Sequence, residues 1–413
     1  MSGYIVEKER KTKLVDEYDV VVCGGGIAGV SAALASSRNG AKTLIFDRSF
    51  MLGGLATSGI ISVYLPLCDG MGRQVSFGIV EELIRLSIKH GYEPCDYYHN
   101  GVGRYNKEWF EGGSNLDKKK EKRYLIQFNP NVFAILMEQL LAENGVKILY
   151  GTTLVSTQVE GDKISSVIVE NKSGRTAYSA KNFIDATGDA DLCYLAGEET
   201  DEFKQGNVVA GWFYYNGDNG YVLRQLGACD IPDEFKTEEQ KKDKGYRFLG
   251  LDAEEVSRVM QMSHASTLNE FLKNGGITKE HALTLMATIP LVRMTRKLVG
   301  EYSLDVSDDK KYFLDSVGMI SNWHTRGPVY EIPFSTLHGK KIKNLYSAGR
   351  CISVTESMWD LSRVIPACAV TGQAVGTASA LFDSFDRVDI NKLQSKLVKD
   401  GVKLHVSDLE PIK

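Results

Sequence analysis

Three glycines near the start of the chain have the spacing of a turn that binds a pyrophosphate. Gly24, Gly26 and Gly29 follow an apolar run at residues 19–23 and open a helical pattern of small residues. Gly24 would make the tight turn, Gly26 would let backbone N–H groups approach the phosphates, and Gly29 would let the helix lie close to the strand. The pyrophosphate would then lie at the positive N-terminus of that helix. The spacing therefore predicts a site for the ADP half of a dinucleotide.

Asp47 supplies a second part of this site. It follows the apolar run 43–46, which reads as the next strand, and its carboxylate is placed to accept a hydrogen bond from a ribose hydroxyl. An acid in this place repels a 2′-phosphate, so the pattern favours FAD or NAD over NADP. The alternative is an ordinary βαβ unit of a flavodoxin-like sheet.

Candidates for chemistry on a substrate come from the second half of the chain. Oxidation of an alcohol needs a base near the hydroxyl, whereas reduction of a C=C bond needs an acid. His324 is our first candidate, although a single histidine is more often structural. Tyr330 is a candidate proton donor, or else a buried structural tyrosine. Arg293 and Arg296 are candidates for binding a carboxylate or sugar hydroxyls, or else for ion pairs with acids such as Glu301.

The remaining metal-ligating residue types favour no metal site. Asp185, Asp189 and Asp191 fit the end of a strand and the cap of a helix better than a metal site. The seven cysteines include no CxxC pair and no cluster with zinc or iron–sulfur spacing. We expect buried, reduced thiols and no disulfide relay beside the cofactor.

The elements that must position these residues alternate between helical and strand patterns. Helices are predicted over 74–90, from Asn129-Pro130 to Asn144, over 253–273 and, with Pro366 near its start, over 367–381. Strands are predicted at 147–150, 154–159, 164–170, 175–180, 284–292 and 342–346, with another from residue 182 that ends in Ala186-Thr187-Gly188. Residues 95–123 read as a solvated polar loop, and 200–335 form the least regular part of the sequence.

Length and charge limit the class of protein. At 413 residues the chain exceeds one comfortable core, so we expect two lobes. A formal net charge of −4 gives no basic face for nucleic acid, and we find neither a signal-peptide pattern nor an apolar run of membrane-spanning length. We expect a soluble, cytoplasmic protein whose partners are a small-molecule substrate and an unidentified electron acceptor or donor, with no nucleic-acid or membrane partner. Aromatic residues at 212–215, expected to be exposed, leave a homodimer open.

A set of short motifs at both ends of the chain resembles one protein family. The motifs are GGGIAG with Asp47-Arg48, LGGLAT, ENGV, IDATGDAD, IPFSTL, NLYSAGRCIS and SRVIPACAVTGQAVGTASAL. Together they resemble the FAD-dependent oxidoreductases of the glutathione-reductase structural group, and within it a family often linked to carbohydrate loci. The resemblance covers residues 18–60, 130–197 and 290–382 and leaves out the middle of the chain.

The resemblance implies an α/β fold with a Rossmann-like FAD-binding domain of the glutathione-reductase type, a β-meander and a second, α+β substrate lobe. The FAD-binding domain would combine residues 1–75, 130–197 and 335–390. The substrate lobe would combine 76–129 and 198–334, and 391–413 would be a C-terminal extension.

The same resemblance implies which residues contact FAD. They are Gly24, Gly26, Ile27, Ala28, Gly29, Asp47, Arg48, Gly53, Gly54, Leu55, Ala56, Val155, Ala186, Thr187, Gly188, Gly349, Arg350, Arg363, Pro366 and Gly372. Val155 would use its backbone against the adenine, and the helix from Pro366 would point its N-terminus at the flavin pyrimidine ring, where negative charge collects on reduction. Arg363 would add a positive charge there, clamp an acidic substrate, or form a surface salt bridge instead. Many relatives carry an acid where Arg350 stands, so the ribityl contact differs here.

Three functions remain open from the sequence. The leading hypothesis is hydride transfer between flavin N5 and a small organic substrate, with a sugar or glycoside hydroxyl as the family-level expectation. The second is a C=C reductase of the fumarate-reductase type, in which Arg293, Arg296 and Arg363 clamp an unsaturated acid. The third is a non-redox dinucleotide-binding or RNA-modification flavoprotein.

Overall fold

The computed structural model describes residues 3–92, 105–217, 220–226, 237–238 and 245–410. The strands are β1 (Lys13–Cys23), β2 (Thr43–Phe46), β3 (Val63–Tyr64), β4 (Ile126–Gln127), β5 (Lys147–Leu149), β6 (Thr153–Glu160), β7 (Lys163–Asn171), β8 (Gly174–Asp185), β9 (Thr200–Glu202), β10 (Gly211–Gly217), β11 (Gly220–Leu226), β12 (Ala282–Met286), β13 (Arg296–Leu298), β14 (Ser316–Ser321), β15 (Val329–Pro333) and β16 (Leu345–Ser347). The helices are α1 (Ile27–Arg38), α2 (Ile79–Ser87), α3 (Lys107–Phe110), α4 (Leu116–Glu121), α5 (Pro130–Glu143), α6 (Asp191–Leu195), α7 (Ala253–Lys273), α8 (Glu356–Ser362), α9 (Ile365–Leu381) and α10 (Ile390–Lys399).

The largest sheet has the strand order β5-β2-β1-β8-β7-β6, and β16 pairs with β8 beyond the meander. β1 runs parallel to β2 and to β8, with Val20 opposite both Thr43 and Asn182. Helices cover both faces of such a parallel sheet, so its strands are continuously apolar rather than alternating. Val20, Val21 and Val22 are accordingly fully buried. This arrangement is the predicted α/β class.

β8 joins the two ends of the chain. The sequence predicted one strand at 175–180 and a second from residue 182, but the structure forms a single strand, Gly174–Asp185. Its first half pairs with β7 in the antiparallel meander, and its last residues pair with β16, where Phe183 lies opposite Leu345. A single long strand results because β1 runs beside β8 along almost its full length.

Helix α9 packs closely on α1 through small residues. A Cβ added at Gly372 would lie 2.3 Å from the carbonyl oxygen of Ala28, and one at Gly376 would lie 2.3 Å from that of Ala32. β14 also lies against α9, where a Cβ at Gly318 would come 2.7 Å from Val370. β14, which the sequence assigns to the substrate lobe, therefore packs on a helix assigned to the FAD-binding domain, and the domain boundaries stay a prediction.

The aromatic run at 212–215, expected to be exposed, is buried at Trp212, Phe213 and Tyr214 and half-buried at Tyr215. Trp212, Phe213 and Tyr214 belong to β10, the middle strand of a sheet with the order β11-β10-β12. A middle strand has neighbours on both edges, and here α7 lies close to β10, with Gly211 approaching Ser263. These residues form a core, so they give no support for a homodimer.

Several predicted boundaries shift for local reasons. The helix expected from residue 74 begins at Ile79, because Gly78 has a φ of 92° that no helix contains. The strand expected over 284–292 ends at Met286. The described part of the expected loop 95–123, from residue 105, holds the short helices α3 and α4. Residues 95–104 lie outside the described residues.

The cysteines that the structure describes are free thiols. Four of them are buried, Cys23, Cys68, Cys193 and Cys351, and Cys368 is half-buried, whereas Cys95 and Cys229 lie outside the described residues.

Within the described ranges no single helix is both long and apolar enough to cross a bilayer. Helices α8 and α9, bent by 89° relative to each other, meet the length and composition requirement only as a pair.

Candidate active site

A cleft opens at the carboxyl ends of β1, β8 and β16. Parallel strands in open α/β sheets bring the loops that follow them to one edge, where ligands bind. From these loops, and from the loop after β2, the cleft is lined by Gly26, Ile27, Ala28, Asp47, Arg48, Ser49, Gly53, Gly54, Leu55, Ala56, Ala186, Thr187, Gly188, Asp189, Ala348 and Arg350. The rest of the lining is formed by Gly250, Val256, Ile289, Pro290, Val292, Arg363, Ile365 and Cys368. The cleft thus collects most of the predicted cofactor contacts.

The three glycines of the first turn occupy three different environments. Gly24 has a φ of 107°, and a Cβ on it would lie 2.4 Å from the carbonyl oxygen of Ala186. A Cβ on Gly29 would lie 1.9 Å from the carbonyl oxygen of Gly24. At Gly26, by contrast, no atom of the described residues beyond its two chain neighbours lies within 4 Å of the added Cβ. The turn is therefore tight on its inner side and leaves a space at Gly26, at the N-terminus of α1, that suits a pyrophosphate.

Asp47 holds this turn in place. Its Oδ2 accepts a hydrogen bond from the Gly25 N–H at 2.6 Å, and its Oδ1 accepts one from the Ser49 N–H at 2.7 Å. Two carboxylate oxygens have about four lone-pair positions, so the side chain keeps acceptor capacity for a ribose hydroxyl.

The Gly53-Gly54 loop packs on the same turn. The Gly53 N–H donates to the Gly25 carbonyl oxygen at 2.8 Å, and a Cβ on Gly54 would lie 3.2 Å from the Cα of Gly26. Both glycines have positive φ values, of 101° and 55°. This close approach places the loop along the cleft, as the resemblance implies for FAD.

Arg350 is fixed by groups from two other segments. Its Nη1 donates to the carbonyl oxygen of Arg293 at 2.8 Å, and its Nη2 lies 3.5 Å from Asp189. Asp189 also accepts a hydrogen bond from the Thr295 hydroxyl at 2.7 Å. Arg350 is therefore held at the cleft by Asp189, an acid that the sequence interpretation assigned to a strand end or helix cap.

Arg293 and Arg296 do not line the cleft, although Nε of Arg296 donates to the carbonyl oxygen of Asp189, which does. The Arg296 guanidinium pairs with Asp191 at 2.7 Å rather than with Glu301, and the Arg293 guanidinium lies 5.2 Å from the ring of Trp212. Both arginines are largely buried. Of the three arginines proposed to clamp an unsaturated acid, Arg363 alone lines the cleft.

Arg363 and His324, both predicted to act in catalysis, share one buried carboxylate. The Arg363 guanidinium donates to Oδ1 of Asp360, and Nε2 of His324 lies 2.5 Å from Oδ2 of the same residue. Asp360 is fully buried. The sequence interpretation missed Asp360. Its one signal in the sequence is its position three residues before Arg363, a spacing at which ion pairs form on a helix.

The charges around Asp360 decide its ionisation. Burial alone would raise the pKa of this carboxyl, but the charge of Arg363 and the hydrogen bond with His324 outweigh burial and hold the pKa below its ordinary value. Asp360 is therefore a carboxylate at neutral pH. Arg363 is consequently part of a buried ion pair and not of a surface salt bridge.

The remaining predicted site residues, His324 among them, do not line the cleft. Tyr330 is buried in β15, opposite Ile320, where burial raises the pKa of its hydroxyl. Gly349 has a φ of 74° and donates its N–H to the Thr371 hydroxyl at 3.0 Å. The register between β6 and β7 shifts at Val155, so this residue has no paired residue in β7. Pro366 lies in the first turn of α9, and Gly372 packs on α1 as described above. Their roles toward FAD stay predictions.

Asp185 acts as a cap at the end of β8. Its carboxylate accepts hydrogen bonds from the Thr187 hydroxyl at 2.7 Å and from the Cys193 N–H at 2.8 Å. No group of three or more His, Cys, Asp or Glu side chains in the part of the chain that the structure describes could hold a metal ion.

Comparison with known proteins adds family information to this geometry. A family model described as FAD dependent oxidoreductase matches residues 19–208 and 231–397. The chain is 23% identical over 414 residues to the tRNA uridine 5-carboxymethylaminomethyl modification enzyme MnmG of Lactobacillus delbrueckii subsp. bulgaricus, covering 82% of the chain and 59% of that enzyme. It is 28% identical over 177 residues to the glutathione reductase of Yarrowia lipolytica, covering 42% of the chain and 32% of that protein.

Among solved structures, the chain is similar to the p-nitrophenol 4-monooxygenase PnpA from Pseudomonas putida DLL-E4. The TM-score is 0.49 at 11% identity, and the match covers 93% of the chain and 84% of that protein. The chain spans less than two thirds of the length of either curated relative above.

Proposed function

The chain belongs to the family of FAD-dependent oxidoreductases, and from that premise we propose that it transfers a hydride between N5 of FAD and a small organic substrate. The observation that carries this proposal is the composition of the cleft. Its lining combines glycine turns and backbone groups that suit a dinucleotide with the apolar residues Val256, Ile289, Pro290 and Val292. A substrate bound against that apolar wall would face the flavin.

FAD, the cofactor of this family, fits the residues of the cleft. The space at Gly26 and the N-terminus of α1 would hold its pyrophosphate, Asp47 its ribose, and the Gly53-Gly54 loop with Arg350 its ribityl end. When bound, FAD supplies the hydride acceptor or donor.

The protein's own side chains would provide positioning and proton transfer. Val256, Ile289 and Pro290 would exclude water from the reacting face, which strengthens every electrostatic contact there. The imidazole of His324 would take the proton of a substrate hydroxyl, or return it in the reverse direction, and the Asp360 carboxylate would stabilise the charged ring.

A sugar or glycoside hydroxyl is the substrate group that we propose within this class. The apolar residues of the cleft suit the C–H face of a sugar ring. Arg363 in the lining, with His324 on the other oxygen of its partner Asp360, would offer the polar groups that orient a hydroxyl. A clamp for an unsaturated diacid is less well supported, because Arg293 and Arg296 contact Trp212 and Asp191 instead.

A second candidate function is RNA modification. It is favoured by the match to MnmG, which extends over 82% of the chain. The net charge of −4 opposes it, because proteins that bind nucleic acid usually present a basic face.

The proposal is tested on purified protein loaded with FAD. The oxidised flavin spectrum is recorded, and the protein is then mixed without oxygen with a panel of sugars, glycosides and hydroxy acids. We expect one of these classes to bleach the flavin, and a His324→Asn variant to retain FAD but bleach at least about 100-fold more slowly.

Three other outcomes separate the alternatives. A flavin that no donor bleaches, but that an unsaturated acid reoxidises after chemical reduction, would favour the C=C reductase. Binding of tRNA with an affinity that falls steeply with salt would favour RNA modification. Protein that takes up no FAD would contradict hydride transfer altogether.

A further inference from the structure

Asp360 is a buried carboxylate that contacts two cationic or potentially cationic side chains. Its own side chain is 0% exposed, that of Arg363 is 6% exposed, and that of His324 is 26% exposed. Each partner takes a different oxygen, Oδ1 for Arg363 and Oδ2 for His324. The three side chains therefore form one connected unit, with Arg363 at the lining of the cleft.

The charge of this unit depends on Asp360. With His324 neutral, the carboxylate and the guanidinium cancel, whereas removal of the carboxylate would leave a positive charge buried at the cleft. The other charged groups of the lining are Asp47, Arg48 and the Arg350–Asp189 pair. They come from the loops after β2, β8 and β16 and have no contact with Asp360 among those described.

The backbone at Asp360 has a separate structural role. Its carbonyl oxygen accepts a hydrogen bond from the indole Nε1 of Trp323 at 3.1 Å, which ties the segment before His324 to α8. An Asp360→Asn substitution keeps this contact and the size of the side chain. It therefore removes the charge of the carboxylate without removing this backbone contact.

We propose that Asp360 is a positioning residue that compensates the charge of Arg363 at the flavin cleft and orients His324 beside it. This inference rests on the proposed hydride transfer, because it concerns the groups that would face the flavin during that reaction. Reduction of a flavin adds negative charge around N1 and O2, and a nearby uncompensated cation favours the reduced form.

The test is the midpoint potential of the bound flavin, measured by dye equilibration in the holoenzyme. In Asp360→Asn we expect the ratio of affinities for reduced and oxidised FAD to rise about tenfold, about 30 mV for a two-electron couple. In Arg363→Gln, which leaves the carboxylate uncompensated, we expect a shift of the opposite sign. The double variant should return toward the wild-type potential.

Asp308→Asn is the matched control. Asp308 is also a buried carboxylate paired with a cation three residues later, Lys311, but it lies outside the cleft lining. It should lower the melting temperature and leave the flavin potential unchanged. If Asp360→Asn behaves in the same way, Asp360 has a purely structural role and the inference is wrong.

Two further results keep the test decisive. If Asp360→Asn does not retain FAD, Arg363→Gln alone decides, and an unchanged potential in that variant also overturns the inference. A shifted potential in a protein that no organic donor reduces would support the role of Asp360 and contradict the proposed hydride transfer instead.

Discussion

At Gly26 a side chain would point into open space, whereas at Gly29 it would overlap a carbonyl oxygen at 1.9 Å. The two glycines belong to one motif, but the structure gives them different physical tasks. Gly29 allows α1 to pack on the turn, and Gly26 keeps room for a ligand next to the helix N-terminus. Substitution should therefore separate folding from cofactor binding.

We expect Gly26→Ala to fold normally and to bind FAD about 100-fold more weakly. Gly26 has a φ of −67°, which alanine adopts without strain, so the added methyl group would meet only the ligand. The loss corresponds to about 2.7 kcal/mol, the size expected when one or two hydrogen bonds to a charged phosphate are displaced. The measurements are the melting temperature of the FAD-free protein and the dissociation constant for FAD.

Gly29→Ala is the matched comparison, and we expect it to destabilise the FAD-free protein by about 3 kcal/mol or more. The idea would be contradicted if Gly26→Ala lowered the melting temperature as much as Gly29→Ala, or if Gly26→Ala bound FAD with unchanged affinity.

The sequence predicted single residues well where a motif fixes the backbone and poorly where partners come from elsewhere in the fold. The space at Gly26 and the closeness at Gly29 follow from their spacing. The partner of Arg296 is Asp191 and not Glu301, and the acid shared by Arg363 and His324 is Asp360. Such pairs depend on which segments meet in three dimensions, which local sequence does not record.

At the scale of elements, helix α9 can lie close to α1 because the residues that face α1 are small. All of its residues from Thr371 to Ser379 are buried, and Gly372 and Gly376 bring it close to the backbone of α1. α1 in turn begins at the turn that lines the cleft. Packing of α9 on α1 is therefore a direct support of the site.

We expect Gly376→Val to destabilise the protein by about 3 kcal/mol or more, because its Cβ would lie 2.3 Å from the Ala32 carbonyl oxygen and force the helices apart. The free energy of unfolding in urea measures the effect. Ala380→Val, at a half-buried position of the same helix, is the control and should cost less than about 1 kcal/mol. Equal effects of the two substitutions would show that helix propensity, and not close packing, decides.

Elements with a strong local pattern were predicted closely, and those shaped by neighbours were not. Helix α7 has the predicted bounds of 253 and 273, and its N-terminus is capped by the Asp252 side chain. The sequence predicted two strands in place of β8. The structure forms one strand because β8 pairs with β1 along almost its whole length, and the local sequence does not show this pairing. The strand expected to reach residue 292 ends at Met286, and the following residues line the cleft instead.

At the scale of the whole molecule, both ends of the chain contribute to the structure around the cleft, because β16 pairs with β8 and α9 packs on α1. The predicted family, fold class and cofactor are confirmed, and their signals are the short motifs toward the two ends of the chain. The substrate was not predictable in the same way. The wall that would contact it comes from residues 250–292, where apolar side chains match many molecules and no motif selects one.

We expect a fragment ending at residue 341 to bind no FAD, although it retains Gly24, Gly26, Gly29 and Asp47. The fragment lacks β16, so Phe183 to Asp185 keep β1 on one edge but lose their partner strand on the other. It also lacks α9, which covers α1, a helix whose residues from Ile27 to Ser36 are all buried. The free-energy cost of exposing that face should exceed the whole stability of a typical domain, which is about 5–15 kcal/mol. The backbone of the glycine turn would then not be fixed, and the turn could not bind a phosphate.

Adding the separate fragment 342–413 provides the control for this experiment. If assembly of the two ends is what builds the site, the mixed fragments should recover flavin binding, measured by the quenching or enhancement of FAD fluorescence on titration. Binding of FAD by fragment 1–341 alone would show that the motif suffices without the sheet. That outcome would move the origin of the site from the assembled molecule to its first βαβ unit, and the C-terminal motifs would then have to act on the substrate or on stability rather than on the cofactor.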